Sequence, residues 1–274
     1  MKILILGCRG MLGFDLLKAF SDHDPIGLDK EELDITDQKA VAKELKKIKP
    51  DFVLNAAAYT AVDDCESSSG LAMQINGDAV GYIADACAQT GATIVHFSTD
   101  YVFDGKNPDG YAEDDRTSPL NAYGQTKIRG EFLLKEATNR HYLIRSAWLF
   151  GRNGKNFVDT MLDLAQKKQP IRVVDDQVGS PTYSADLAQA VRKLVESESP
   201  FGTYHLTNSG FTSWYGFAKE IFSVAKLDVP LQAVRTADFP RAARRPAVSV
   251  LRNTKAPALR PWQAALADYL TTKG

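Results

Sequence analysis

Tyr123 and Lys127, four residues apart in the stretch PLNAYGQTKIRGE, carry the chemistry this sequence offers most directly. Four residues advance a helix by about 400°, which leaves the pair roughly 40° apart on one face, one turn apart, with heads that can converge. A phenol with a pKa near 10 is a poor acid at neutral pH, and an adjacent ammonium favours its anion and lowers that pKa. Such a pair suits proton donation to a carbonyl oxygen that gains charge in a reduction. Asn121, following Pro119, can cap the helix, and Ile128, Phe132 and Leu133 mark a separate apolar side. A third group is expected at the carboxyl end of a central strand, where ligands gather in open α/β sheets. The stretch TIVHFSTDYVFDG puts Ser98 and Thr99 there, and either hydroxyl could orient a substrate carbonyl or simply cap the strand.

A glycine loop, GCRGMLG, stands upstream between an apolar run and a helical pattern. Gly7, Gly10 and Gly13 let the chain turn tightly and approach a pyrophosphate, which the N–H groups at the helix start, around Arg9, Met11 and Leu12, can receive. Asp29 ends the second strand roughly 20 residues beyond Gly7, the spacing of a carboxylate that accepts from an adenosine ribose, which favours NADH. Arg9 and Lys30 could instead neutralise a 2′-phosphate, which favours NADPH, so use of both coenzymes is expected. Asp34 and Ile35 in ELDITD are candidate adenine contacts. In LNAAAYT the small residues after the third strand let the chain pass close to a flat ligand, which makes Asn55, Ala56, Ala57, Ala58, Tyr59 and Thr60 candidate coenzyme contacts.

The elements that must position these groups follow from hydrophobic patterning. Short apolar runs such as KILIL, DFVLN and TIVHFST alternate with helical patterns such as MLGFDLLKAF, in which Leu12, Leu16, Leu17 and Phe20 share a face. Strands buried on both faces and alternating with helices predict an α/β fold, a doubly wound parallel sheet over residues 1–150. Residues 151–274 read as a smaller, less regular substrate region, with a strand near 202–208 returning to the main sheet. The 33 basic against 34 acidic residues, net charge −1, create no field that would favour nucleic acid or an anionic membrane. Cys8, Cys65 and Cys87 form no CxxC pair and are odd in number, which argues against a disulfide framework or a zinc site and for a reducing cytoplasm. The opening MKILILG resembles the start of a signal peptide, but its apolar run stops at Gly7, and no later stretch reaches the roughly 18 apolar residues of a membrane span.

With these residues in hand, the chain resembles the extended short-chain dehydrogenases/reductases, whose fold is of Rossmann type, and most closely the dTDP-4-dehydrorhamnose reductase family. The similarity runs in order through GCRGMLG, LNAAAYTAVDDCE, VHFSTDYVFDG, SPLNAYGQTKIRGE, IRSAWLFG, GKNFVDTML, VVDDQVGSPTY, GTYHLTNSGFTSWYGFA and RRPAVSVL. The resemblance implies hydride transfer from NADPH or NADH to C4 of dTDP-4-dehydro-6-deoxy-L-mannose, giving dTDP-L-rhamnose for cell-surface polysaccharide. It implies a catalytic set of Thr99, Tyr123 and Lys127, substrate contacts from Asp100, Tyr101 and Trp148 besides Thr99 and Tyr123, and coenzyme contacts that include Ser98, Tyr123 and Lys127. Some members of the family dimerise around Mg²⁺ held by surface carboxylates. By that resemblance Asp15 stands at the place of a longer glutamate, but the sequence shows no full ligand set, so a homodimer is expected without a metal assigned to it. Met73, Trp214 and Trp262 read as packing residues, and Arg244 and Arg245 as a solvated charge run or neighbours of the nucleotide.

Two other outcomes fit the same scaffold. One is reduction of another nucleotide-linked 4-keto deoxysugar. The other is a non-catalytic role like that of the β subunit of methionine adenosyltransferase, against which the intact Thr99, Tyr123 and Lys127 weigh. Nucleotide-sugar dehydratases need a glutamate after the Thr-Asp pair, and Tyr101 occupies that place.

Overall fold

The computed structural model describes residues 1–167 and 169–273. The chain runs β1 (Lys2–Leu6), α1 (Met11–Ala19), β2 (Asp24–Leu28), α2 (Gln38–Ile48), β3 (Phe52–Asn55), α3 (Asp64–Ser67) and α4 (Ser69–Met73). One turn of π-helix, Gln74–Asp78, leads into α5 (Ala79–Thr90), followed by β4 (Thr93–Thr99), a 3₁₀ turn (Asp100–Val102), α6 (Ala122–Ala137) and β5 (His141–Ser146). Then come β6 (Leu149–Phe150), α7 (Phe157–Ala165), β7 (Ile171–Val174), β8 (Val178–Gly179), β9 (Thr182–Tyr183), α8 (Ser184–Glu196), β10 (Gly202–His205), β11 (Thr212–Ser213), α9 (Trp214–Val224), β12 (Leu231–Val234) and α10 (Trp262–Lys273).

The main sheet has the order β2-β1-β3-β4-β5-β10 with every pair parallel, the doubly wound arrangement expected. Alternation along the strands explains why both faces are covered. In β1, Ile3 and Ile5 enter a core with Leu12 and Leu16 of α1, Phe20 just after it, and Leu187 and Val191 of α8. Leu4 and Leu6 enter the opposite core with Val41 and Leu45 of α2, Ile83 of α5 and Leu134 of α6. β4 is buried at every position, as a central strand between two helical layers must be. A third core, around Phe150, Phe217, Ile221, Trp262 and Tyr269, belongs to the later elements. Among the described residues, no helix is long and apolar enough to cross a membrane.

Strand order reverses at β1, which has β2 on one side and β3 on the other. Chains leaving β1 and β3 therefore part in opposite directions and open a crevice at their carboxyl ends.

Candidate active site

The glycine loop closes this crevice on one side. Gly7 has φ +73°, and a Cβ there would lie 2.7 Å from the Ala57 nitrogen, so only glycine lets the loop after β1 rest on the loop after β3. Gly10 starts α1 with no side chain capping it and no acidic residue in the first turn, leaving the N–H groups around Met11 and Leu12 for an anion. Gly13 packs against Gly7. Ala56, Ala57 and Tyr59 are half-buried along the other wall, with Ala58 and Thr60 exposed. Asn76 of the π turn fixes that wall, accepting the Tyr59 N–H at 2.8 Å and donating to the Tyr59 carbonyl at 2.9 Å.

Asp29 follows β2 and accepts the Arg9 N–H at 2.9 Å and the Lys30 N–H at 2.8 Å. The Arg9 guanidinium is turned to Glu31, at 2.5 Å, and to Glu32. Of the two adenine candidates, Asp34 accepts from the Thr36 hydroxyl at 2.7 Å, and Ile35 packs into the α2–α5 core, leaving little of its side chain at the crevice.

Thr99, Tyr123 and Lys127 meet at the carboxyl end of β4. Asn121 caps α6 as expected, its side-chain oxygen accepting the Gly124 N–H at 2.8 Å. The glycine beside Tyr123 is required: a Cβ on Gly124 would stand 2.2 Å from the Tyr101 carbonyl oxygen, so only glycine brings the start of α6 onto the 3₁₀ turn. Thr99 Oγ1 donates to Asp100 Oδ1 at 2.9 Å and accepts the Tyr101 N–H at 3.2 Å. Its hydroxyl also engages that of Tyr123. The Tyr101 and Tyr123 rings meet edge to face at 5.9 Å. Lys127, only 2% exposed, donates from Nζ to the Phe97 carbonyl at 2.6 Å.

Two expectations are corrected here. Lys127 was expected to lower the Tyr123 pKa. Instead, burial and the Asp100 carboxylate push the phenol above its ordinary range, opposed by Thr99, while Lys127 Nζ is committed to Phe97. Burial also pulls Lys127 down to about 8, against Glu131, and pushes Asp100 up to about 6, against the Ser249 and Thr99 hydroxyls. The second correction concerns Ser98 as a coenzyme contact. Strand alternation turns Ser98 toward α6, where its hydroxyl donates to Glu131 Oε1 at 2.6 Å, and Arg145 pairs with Glu131 Oε2 at 2.6 Å.

A cleft of about 700 Å³ opens beside this centre, lined among others by Tyr101, Phe157, Trp214, Arg172, Arg241 and Arg244. Arg245 is no solvated charge: it forks onto Asp63, with Nη2 2.8 Å from Oδ2, and bonds Tyr101. The guanidinium holds the Asp63 carboxyl down at about 2. Trp214 packs as expected, stacking on Trp148 with ring centres 3.5 Å apart and planes 6° apart, and it also lines the cleft. Trp148 has φ +47° and lies so flat on Gly179 that a Cβ there would be 2.4 Å from the indole. Ser146, paired with Thr99 in the ladder, has a buried hydroxyl without a partner. Ser146 and Asp63 fall within the motifs IRSAWLFG and LNAAAYTAVDDCE, but the sequence reading assigns neither a role. Asp15, to which no metal was assigned, is 6% exposed and accepts from the Ser184 hydroxyl at 2.5 Å. Among the described residues, no group of three or more His, Cys, Asp or Glu side chains is placed to hold a metal ion.

The sequence matches the family model described as RmlD substrate binding domain over residues 1–273. The chain belongs to the RmlD family. It is 42% identical to the spore coat polysaccharide biosynthesis protein SpsK of Bacillus subtilis, over 98% of this chain and 96% of that protein. The crystal structure of a dTDP-4-dehydrorhamnose reductase from Clostridium acetobutylicum superposes with a TM-score of 0.97 at 42% identity, covering 100% of this chain and 99% of that one. A second structure, that of the dTDP-4-dehydrorhamnose reductase of Bacillus anthracis in complex with NADP, gives a TM-score of 0.96 at 38% identity, covering 99% of this chain and 100% of that one. The resemblance read from the nine motifs is thereby borne out.

Proposed function

We propose that this chain is an NAD(P)H-dependent dTDP-4-dehydrorhamnose reductase that converts dTDP-4-dehydro-6-deoxy-L-mannose to dTDP-L-rhamnose. The observation that carries the reading is the convergence of Thr99, Tyr123 and Lys127 at the end of β4, across from an uncapped helix N-terminus at the switch of strand order. That helix start fits a dinucleotide pyrophosphate, Asp29 fits an adenosine ribose hydroxyl, and residues 55–60 fit a flat group laid along them. The coenzyme, when bound, supplies the hydride. Thr99 orients the C4 carbonyl, Tyr123 gives its proton to the oxygen as charge develops there, and Lys127 holds the nicotinamide ribose and replenishes that proton. The high pKa of the buried Tyr123 keeps the proton in place until the alkoxide, a far stronger base, takes it.

Arg172, Arg241 and Arg244 give the cleft the positive charge that a nucleoside diphosphate needs, while Tyr101 and Trp214, the latter backed by Trp148, offer flat walls to sugar and base. Tyr101, standing where dehydration would need a carboxyl acid, favours reduction over water loss. Both coenzymes fit: Asp29 suits NADH, and Arg9, once released from Glu31 and Glu32, suits NADPH. The free thiols of Cys8, Cys65 and Cys87 agree with a reducing cytoplasm. The test is oxidation of NADH and of NADPH with the enzymatically generated keto sugar, with the product identified by NMR. dTDP-L-rhamnose supports the reading; coenzyme binding without turnover refutes it in favour of the regulatory role, and a different C4 epimer refutes the choice of sugar.

A further inference from the structure

β4 turns one more polar side chain toward α6, and no role above uses it. His96 is fully buried, its Nε2 3.5 Å from Lys127 Nζ, while Asn55 Nδ2 of the neighbouring strand lies 3.2 Å from its Nδ1. Burial and the Lys127 charge hold the ring neutral, well below the usual imidazole range. A neutral imidazole has one proton, and an ammonium has three donors and no acceptor. The nitrogen facing Lys127 must therefore be bare, which puts the proton on Nδ1. Asn55 supplies the acceptor there. Its main-chain carbonyl sits beside the ring, and its side-chain oxygen, buried without a partner, reaches the same place when the amide is turned end for end.

We infer that His96 is a positioning residue for Lys127: Asn55 fixes the imidazole through Nδ1–H, and the bare Nε2 accepts a hydrogen bond from the Nζ ammonium. The inference deepens the reductase reading and rests on it. Lys127 has lost its water and faces a short list of acceptors. Phe97 takes one of its protons, His96 a second, and the third is left for the ribose. Other charges around α6 are committed elsewhere. Glu131 is held by Arg145 of β5 and by Ser98, Glu66 of α3 accepts the Ala122 N–H, Asp78 pairs with Arg129, and Asp100 accepts from Thr99. Glu131 still favours the Lys127 charge from its own helix, but at longer range. Without His96, an ammonium already weakened by burial loses an acceptor and gives up its proton at lower pH.

The test compares His96→Leu, which removes the acceptor, with His96→Gln, whose Oε1 restores one, in the full-length protein. His96→Met replaces His96→Leu if the latter does not fold. The readouts are kcat against pH with the keto sugar, coenzyme Kd, and the Lys127 titration by NMR of ¹³C-labelled lysine. The expected result for the apolar variant is an alkaline limb about one pH unit lower, the scale of a hydrogen bond to a charged group, and with it a kcat at pH 8 down about fivefold. The Gln variant should recover most of both. An unmoved limb, or equal losses in the Leu and Gln variants at every pH, would overturn the inference. If wild type binds coenzyme but reduces nothing, the reductase reading fails by itself. The NMR titration then decides on His96, supporting it by a Lys127 pKa lowered in the apolar variant and overturning it by an unchanged one.

Discussion

Asp100 gives the site a stability signature that can be worked out in advance. The carboxyl is buried and pushed up to about 6 from the ordinary 3.8, chiefly by loss of water, which the Ser249 and Thr99 hydroxyls only partly offset. A raised pKa means that the native state binds the proton more tightly than the unfolded chain. The stability this group contributes is therefore present in full below the unfolded value and lost as pH rises through the folded one. The difference of about 2 pH units corresponds to about 3 kcal/mol when ionisation is complete at pH 8, and to about half that at pH 5. Asp100→Asn carries no such penalty, and its side-chain oxygen can still accept from Thr99. Urea unfolding of both proteins at pH 5 and pH 8 should show the variant gaining on wild type by an additional amount on the order of 1 kcal/mol at the higher pH. A difference between the two proteins that does not change with pH would refute the argument, because it would mean that the native carboxyl titrates as it does in the unfolded chain.

Three further perturbations separate the parts of the site. Tyr123→Phe should lower kcat by on the order of 10² or more, as loss of a general acid does, while coenzyme Kd measured by nicotinamide fluorescence stays near wild type. Glu31→Gln combined with Glu32→Gln frees the Arg9 guanidinium, and the ratio of kcat/KM for NADPH over NADH should rise a few-fold in initial-rate assays at low salt. Trp214→Ala removes the stacked partner of Trp148, so the near-ultraviolet circular dichroism of the indole pair should collapse. KM for the nucleotide sugar should rise on the order of tenfold, with kcat much less affected.

Legibility in the sequence follows how local each determinant is. The helix bearing Tyr123 and Lys127, its Asn121 cap and the glycine loop all depend on residues within a turn or two, and each stands where the spacing put it. The choice between Ser98 and Thr99 was harder, because both sit at the strand end. Strand alternation decides it, sending Ser98 to Glu131 and leaving Thr99 at the crevice. The electrostatics were not legible. Spacing puts an ammonium beside a phenol, but whether Nζ faces the phenol or the Phe97 carbonyl depends on the backbone of β4, which the helix pattern does not contain.

Pairings across long stretches of chain were equally hidden. Arg245 meets Asp63 and Tyr101, and Trp214 meets Trp148, only because the later elements fold back over the sheet. This division bears on mechanism. Thr99, Tyr123 and Lys127 stand on β4 and α6, which are locked into the main sheet by buried contacts and by the Ser98–Glu131–Arg145 cluster. The cleft walls come largely from residues 157–245 and touch the reacting centre through Tyr101, which bonds Arg245 and packs edge-on against Tyr123. Binding energy for the nucleotide part of a substrate therefore reaches the acid through Tyr101 and through Asn121, the cap of α6, whose Nδ2 donates to the Arg244 carbonyl at 2.8 Å. Changes at Trp214 should appear mainly in KM and changes at Tyr123 in kcat, whereas Tyr101→Phe, which keeps the ring but releases Arg245, should move both in steady-state assays. If it moves KM alone, the Arg245 bond serves binding only, and the coupling runs through the ring.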